Sequence, residues 1–202
     1  MAYFHVMKNT TLIIQPFDES TRFLCTVYEA VPNKTVITGG INKSDLRKYI
    51  ENHSRVIMCG HGSPEGLMSV GQFPDATGLI IDDSLADCLR VKTNNIYIWC
   101  HAAQYVRRNF LTGVASGMFI SSTDEGHYYN FWNKNLKDLI EESNYGFSSI
   151  AARHIEKGMD VFYKNLASEY EVLAEKNTIA RFNLERLYFN PPQLRLISSN
   201  IA

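Results

Sequence analysis

Two short segments constrain the fold of this chain more than anything else in it: Arg55–Gly62 (RVIMCGHG) and Asn95–Ala102 (NIYIWCHA). Each begins as an apolar, β-branched run without polar alternation, the pattern of a strand covered on both faces. Such strands belong to parallel sheets clad with helices, and parallel neighbours need a crossover between them. Each run also ends abruptly in a chemically capable side chain, His61 in the first and Cys100 in the second. A parallel sheet brings both ends to one edge, in the crevice outside the strand carboxyl ends where α/β folds keep their chemistry.

The rest of the first 122 residues fits that scheme. Leu12–Phe17, Lys34–Thr38 and Gly117–Ser121 read as further strands, and Leu79–Ile81 as a short extended piece. Between them, Ser20–Val31 has Phe23, Leu24, Val27, Tyr28 and Val31 at helical spacing. A second helix capped by Asn42 or Ser44 turns Leu46, Tyr49 and Ile50 inward, and a third over Asp83–Val91 supplies the crossover between the two defining strands. The Gly- and Pro-containing stretch Ser63–Gly78 reads as a loop at the same edge. This alternation predicts an α/β three-layer sandwich with a mainly parallel sheet of five or six strands. From Glu125 the spacing becomes helical, through Trp132–Ile140, Ile155–Leu173 and Ile179–Leu187. Asn144–Gly146 separates the first two helices, and Pro191-Pro192 stops the last. The expected organisation is one α/β domain over residues 1–202, with a sheet core at 1–122 and a mostly helical extension at 123–202 packed on it.

Composition narrows the function. A net charge of −1 gives no reason to expect nucleic acid or an anionic membrane as partner. No apolar run approaches membrane-spanning length, and the N-terminal MAYFHVMKNTTLII lacks a leader's apolar core and cleavage site. Cys25, Cys59, Cys88 and Cys100 show no CxxC spacing. The first, second and third sit in apolar patterns and are expected to be buried, so free thiols in a reducing, cytoplasmic setting are the reading.

Cleavage of a peptide bond by a thiol needs a nucleophile, a proton for the leaving amine, and donors for the oxyanion. Cys100 and His61 can supply the first two, and the backbone N–H groups of Gly62 and Cys100 the third. Each residue has a plainer explanation alone: a cysteine ending a core strand packs as a small residue, and His-Gly makes a turn. A zinc site from Cys59, His61, Cys100, His101 and His127 is the chemical competitor, but no ligand-pair spacing supports it. Gly60, Gly62 and Gly66 do not form a phosphate-binding GxGxxG opening a helix.

The order strand–His-Gly, crossover, strand–Cys resembles the caspase, gingipain, legumain and separase class of cysteine peptidases (clan CD), including bacterial CHAT-type members. The resemblance runs from Leu12 to Ser122 in order of elements and rests on His61-Gly62 and Cys100 as motif. It implies a caspase-like fold and a cysteine endopeptidase acting on a peptide or protein, with no metal or organic cofactor. His61 is then the catalytic histidine, Cys100 the nucleophile and Gly62 part of the oxyanion hole. Asp18 and Glu125, after the first and fifth strands, are implied as lining the pocket for the residue before the scissile bond, where they would favour Arg or Lys. Both also suit helix caps. The chain departs from the family in carrying Trp99 before the cysteine and His101 after it. That departure motivates the alternative of a catalytically silent pseudo-peptidase or interaction module, its aromatic C-terminal helices docking a protein partner or a second copy.

Overall fold

The structure, a computed structural model, describes residues 10–192. The first nine residues, part of the stretch read above for a leader, and those after Pro192 lie outside the described residues. The first element among the described residues is β1 (Thr11–Ile14), whose four buried residues pair in parallel with β2 (Lys34–Ile37) on one side and β3 (Arg55–Cys59) on the other. A 3-10 turn over Glu19–Leu24 leads into α1 (Cys25–Tyr28), and α2 (Lys43–Asn52) carries the chain from β2 back to β3. After β3 comes a small antiparallel sheet of β4 (Gly62–Ser63), β5 (Gly66–Met68) and β6 (Leu79–Ile81). A second 3-10 turn, Asp83–Leu85, enters α3 (Ala86–Arg90), and β7 (Asn95–Ile98) then lies parallel to β3. Next follow α4 (Ala102–Arg108), β8 (Gly113–Ser116), α5 (Thr123–Tyr128), α6 (Leu136–His154), α7 (Met159–Ala174), α8 (Thr178–Leu184) and β9 (Leu187–Asn190).

The main sheet has six strands in the order β2-β1-β3-β7-β8-β9, all parallel except β9, which runs antiparallel to β8. From β1 the chain goes outward to β2, then returns to the opposite side of β1. The order therefore reverses between β1 and β3, and crevices at strand carboxyl ends form at such a point.

Alternation along each strand builds the two cores. Leu12, Ile14, Val56, Met58, Tyr97 and Trp99 face one way, against Leu46, Ile50, Leu89 and Val106 of α2, α3 and α4. Ile13, Ile57, Cys59, Ile96, Ile98 and Val114 face the other way, against α1, α6 and α7 through Val27, Phe147, Ile150, Phe162, Leu166 and Tyr170. The three-layer α/β arrangement follows directly: strands apolar on both sides demand helices on both sides. Among the described residues no helix is long and apolar enough to cross a membrane.

Several elements differ from the sequence-based expectation. The fifth parallel strand is Gly113–Ser116, and Gly117–Ser121, read as that strand, is a loop. The GMFIS run is the more apolar of the two because Phe119 and Ile120 are buried by neighbouring helices rather than by strand neighbours. Asn144–Gly146 does not divide two helices, since α6 runs straight through it. Gly146 is there for close packing: a Cβ on it would stand 2.5 Å from Leu173 Cδ2 of α7. Leu187 ends no helix but opens the edge strand β9, whose aromatic pair Tyr188-Phe189 suits a strand. The stretch Ser63–Gly78 is not all loop, because its first half forms the β4–β5 hairpin. Trp132, read at helical spacing with Leu136 and Ile140, lies before α6, where it is exposed and stacks on His127. Cys25 is exposed, whereas Cys59 and Cys88 are buried.

Candidate active site

Cys59 of β3 pairs with Ile98 of β7. His61 and Cys100 each follow those partners by two residues, so the register of the strands carries the two side chains to one edge of the sheet. Both line a small hollow walled by Thr21, Leu24 and Phe119, and both line an open cleft of ≈ 480 Å³ beside it.

His61 is held from behind by the turn after β1. Asp18 caps that turn, accepting from the Ser20 N–H at 2.9 Å and from Ser20 Oγ at 2.5 Å. Ser20 Oγ lies 2.7 Å from His61 Nε2, and Asp18 Oδ1 lies 3.4 Å from the same nitrogen. The serine has one hydroxyl proton, and the Asp18 carboxylate takes it, so Ser20 Oγ accepts from His61 Nε2–H. The neutral imidazole is thereby fixed as the Nε2–H tautomer, which leaves Nδ1 as its acceptor. The Ser20 hydroxyl, then the Ser20 N–H and His61, hold the Asp18 carboxyl below the usual carboxylate range. This contact answers the expectation for Asp18: it lines neither the hollow nor the cleft, and its carboxylate is committed to Ser20 and His61 rather than to a substrate pocket.

Cys100 lies between β7 and α4. His101 adopts a left-handed conformation (φ 69°) and caps α4, with its N–H donating to the Gly117 carbonyl at 2.9 Å. That sharp turn presents the Cys100 thiol toward the Phe119 carbonyl, at 3.6 Å, and Glu125 Oε1, at 3.8 Å. Burial, and next the Glu125 charge, push the thiol up to about 12, so it is protonated at neutral pH. Glu125 completes a capping box with Ser122 at the start of α5. Its Oε2 accepts from the N–H groups of Ser121 and Ser122 at 2.7 and 3.0 Å and from Ser121 Oγ at 3.0 Å. Its other oxygen is left facing the thiol. Of the two acidic residues expected near the cleft, Glu125 alone lines it.

Two residues that line the cleft, Gly62 and Cys100, each carry a backbone N–H without a partner among the described residues. Met68 N–H donates to the His61 carbonyl at 2.9 Å. The next pair of the ladder, Gly62 with Leu67, is then the non-hydrogen-bonded kind, so the Gly62 N–H points away from β5 across the open edge of β4. Among the described residues no group accepts from the Cys100 N–H. Trp99 explains why position 62 is glycine. Its ring is 1% exposed, wedged against Tyr97 and Tyr105, and its Nε1–H donates to the Ser63 carbonyl at 3.1 Å. A Cβ on Gly62 would stand 2.5 Å from Trp99 Cγ and 2.7 Å from the Gly66 oxygen. Trp99 is thus the wedge beneath the β4–β5 hairpin.

Sequence reasoning missed Ser20, Phe119 and the aromatic rim of the cleft, Tyr128 and Tyr129. Ser20 did carry a signal. The Asp-x-Ser spacing at Asp18–Ser20 recurs at Asp82–Ser84, where Asp82 Oδ1 likewise accepts from the Ser84 N–H and Oγ. Arg107 and Arg108 are exposed and line neither the hollow nor the cleft; Arg107 lies over the Tyr188 ring and Arg108 donates to the Pro64 carbonyl and Asp83. Cys59 is fully buried in the core packed against α1, α6 and α7, and among the described residues no three His, Cys, Asp or Glu side chains group so as to hold a metal ion. No family model, curated protein or solved structure compared with the chain gives a match.

Proposed function

We propose that this chain is a cysteine endopeptidase with a caspase-like α/β fold, working through Cys100 and His61. The observation that carries the reading is the matched offset of the two residues beyond the paired ends of β3 and β7, on the walls of one cleft. The thiol proton passes to His61 Nδ1. Cys100 Sγ bonds to the substrate carbonyl carbon, and the carbonyl electron pair moves onto oxygen, held by the Gly62 and Cys100 N–H groups. Collapse breaks the C–N bond, and His61 delivers its proton to the leaving amine. Water then attacks the thioester, giving up a proton to His61, which returns it to the departing sulfur as the acid leaves. Asp18 and Ser20 position the imidazole and stabilise its charged form. No metal or organic cofactor takes part.

A fluorogenic peptide library tests this. Turnover that vanishes in both Cys100→Ala and His61→Ala is the expected result, and near wild-type turnover in either variant refutes the assignment. A second reading draws on the raised Cys100 thiol and the Glu125 carboxylate facing it: a catalytically silent module of the same fold that binds a peptide or protein. Peptidyl electrophiles separate the two, because covalent capture at Cys100 requires a working nucleophile.

A further inference from the structure

We propose that the open cleft beside Cys100 receives a cationic side chain of the arginine or lysine class on the acyl side of the scissile bond, and that this cation frees the nucleophile by pairing with Glu125. The inference rests on the peptidase reading and specifies its substrate class.

The cleft has the size of a side-chain or small-ligand site, ≈ 480 Å³. It carries two carboxylates, Asp124 and Glu125, and among its described lining residues there is no lysine or arginine. The other ionisable groups on its walls are His61, His101, Tyr128, Tyr129 and the thiol itself. Met68 and Met118 offer apolar surface for a methylene stem, and the two tyrosines offer rings that attract a guanidinium. An acidic side chain meets two like charges here, Asp124 and Glu125.

Glu125 gives the charge a chemical consequence. Three hydrogen bonds pin its Oε2, so the carboxylate does not swing away, and its Oε1 stays 3.8 Å from Cys100 Sγ. A fixed anion at that distance opposes formation of a thiolate. A guanidinium or ammonium docked on Glu125 cancels that opposition, a neutral side chain leaves it, and an anionic one adds to it. The cleft therefore selects at the step that generates the nucleophile as well as in binding, which is where selection raises turnover. The raised thiol of the unoccupied enzyme fits this arrangement, since burial and Glu125 both hold it protonated until the correct side chain arrives.

The test uses the whole chain and reads labelling of Cys100 by mass spectrometry. Acyloxymethyl ketone probes carry arginine, norleucine or glutamate next to the warhead, and are applied to wild type, Glu125→Gln and Asp124→Asn. Glutamine preserves an acceptor for Ser121 and Ser122, so the cap survives the change. In parallel, iodoacetamide labelling of wild type and Glu125→Gln is followed with and without N-acetyl-arginine amide, the citrulline analogue serving as neutral control. In wild type the arginine probe reacts roughly tenfold faster than the norleucine probe, and the glutamate probe is slowest. Glu125→Gln removes most of the arginine advantage and speeds iodoacetamide labelling without any ligand. Asp124→Asn lowers the arginine advantage in part. N-acetyl-arginine amide accelerates iodoacetamide in wild type only. Equal labelling by the three probes overturns the cationic substrate class and leaves the peptidase reading standing. An arginine advantage that survives Glu125→Gln unchanged overturns the role of Glu125. Labelling of Cys100 by iodoacetamide but by no peptidyl probe removes the peptidase reading, and this inference with it.

Discussion

Replacing Gly62 by alanine adds one methyl group at the point where the β4–β5 hairpin rests on the core. The new Cβ would stand 2.5 Å from Trp99 Cγ and 2.7 Å from the Gly66 oxygen, where ordinary contact begins at 3.4 Å. Trp99 has nowhere to retreat, since its ring is packed edge-on against Tyr97 with centroids 5.8 Å apart and tilted against Tyr105 at 5.6 Å. The hairpin must move outward instead, by roughly an ångström, and that stretches the bond from Trp99 Nε1 to the Ser63 carbonyl. Overpacking of this kind costs about 1–3 kcal/mol, and a weakened hydrogen bond about 1 kcal/mol more. Gly62→Ala should therefore destabilise the fold by about 2–4 kcal/mol in urea denaturation followed by circular dichroism. Trp99→Leu also destabilises, through the space it opens, but that space accepts the methyl. The double variant should be more stable than the sum of the single losses predicts, by about 1 kcal/mol or more. Under the proposed mechanism the same outward shift carries the Gly62 N–H off the oxyanion, lowering kcat on the order of a hundredfold. A Gly62→Ala protein within about 0.5 kcal/mol of wild type, and additive with Trp99→Leu, refutes the wedge argument.

Thiol reactivity follows exposure and charge: iodoacetamide at neutral pH should label the exposed Cys25 first, Cys100 later, and the buried Cys59 and Cys88 last, as mapped by peptide mass; Cys100 reacting ahead of Cys25 without ligand contradicts the protonated thiol described here. Because folding raises the Cys100 thiol from its ordinary value of 9.0 to about 12, the folded state holds that proton more tightly, so the associated stability is complete below about pH 9 and is lost as pH rises toward 12. Cys100→Ala should accordingly show a shallower alkaline loss of stability than wild type over that window, and parallel curves would deny the shift. Long-range 1H–15N spectra should find neutral His61 as the Nε2–H tautomer in wild type, with Ser20→Ala admitting the other form; an Nδ1–H tautomer in wild type would show that Ser20 donates to the ring rather than accepting from it.

What the sequence made legible were the features that repeat along a strand. Three successive apolar positions in β1 (Leu12–Ile14) or β7 (Ile96–Ile98) announce burial on both faces, that burial demands two helical layers, and parallel pairing then fixes which strand ends share an edge. His61 and Cys100 could be brought together on that basis because their distance from the strand ends is counted in residues. Contacts made across the fold leave no such count. Gly117–Ser121 looked more like a strand than Gly113–Ser116 because apolar content records burial without recording what does the burying. Asp18 and Glu125 were both visible as acidic residues after strands, yet their roles separate only through the direction each carboxylate takes. One folds back onto Ser20 and His61, and the other is clamped by Ser121 and Ser122 with an oxygen left on Cys100. Trp99 is the same lesson from the opposite side. Beside the nucleophile it reads as a departure from the family, and against Gly62 it becomes the reason that a donor can stand at the cleft. The two residues constrain each other across 37 positions (99 − 62) of chain, a coupling that spacing and periodicity do not encode.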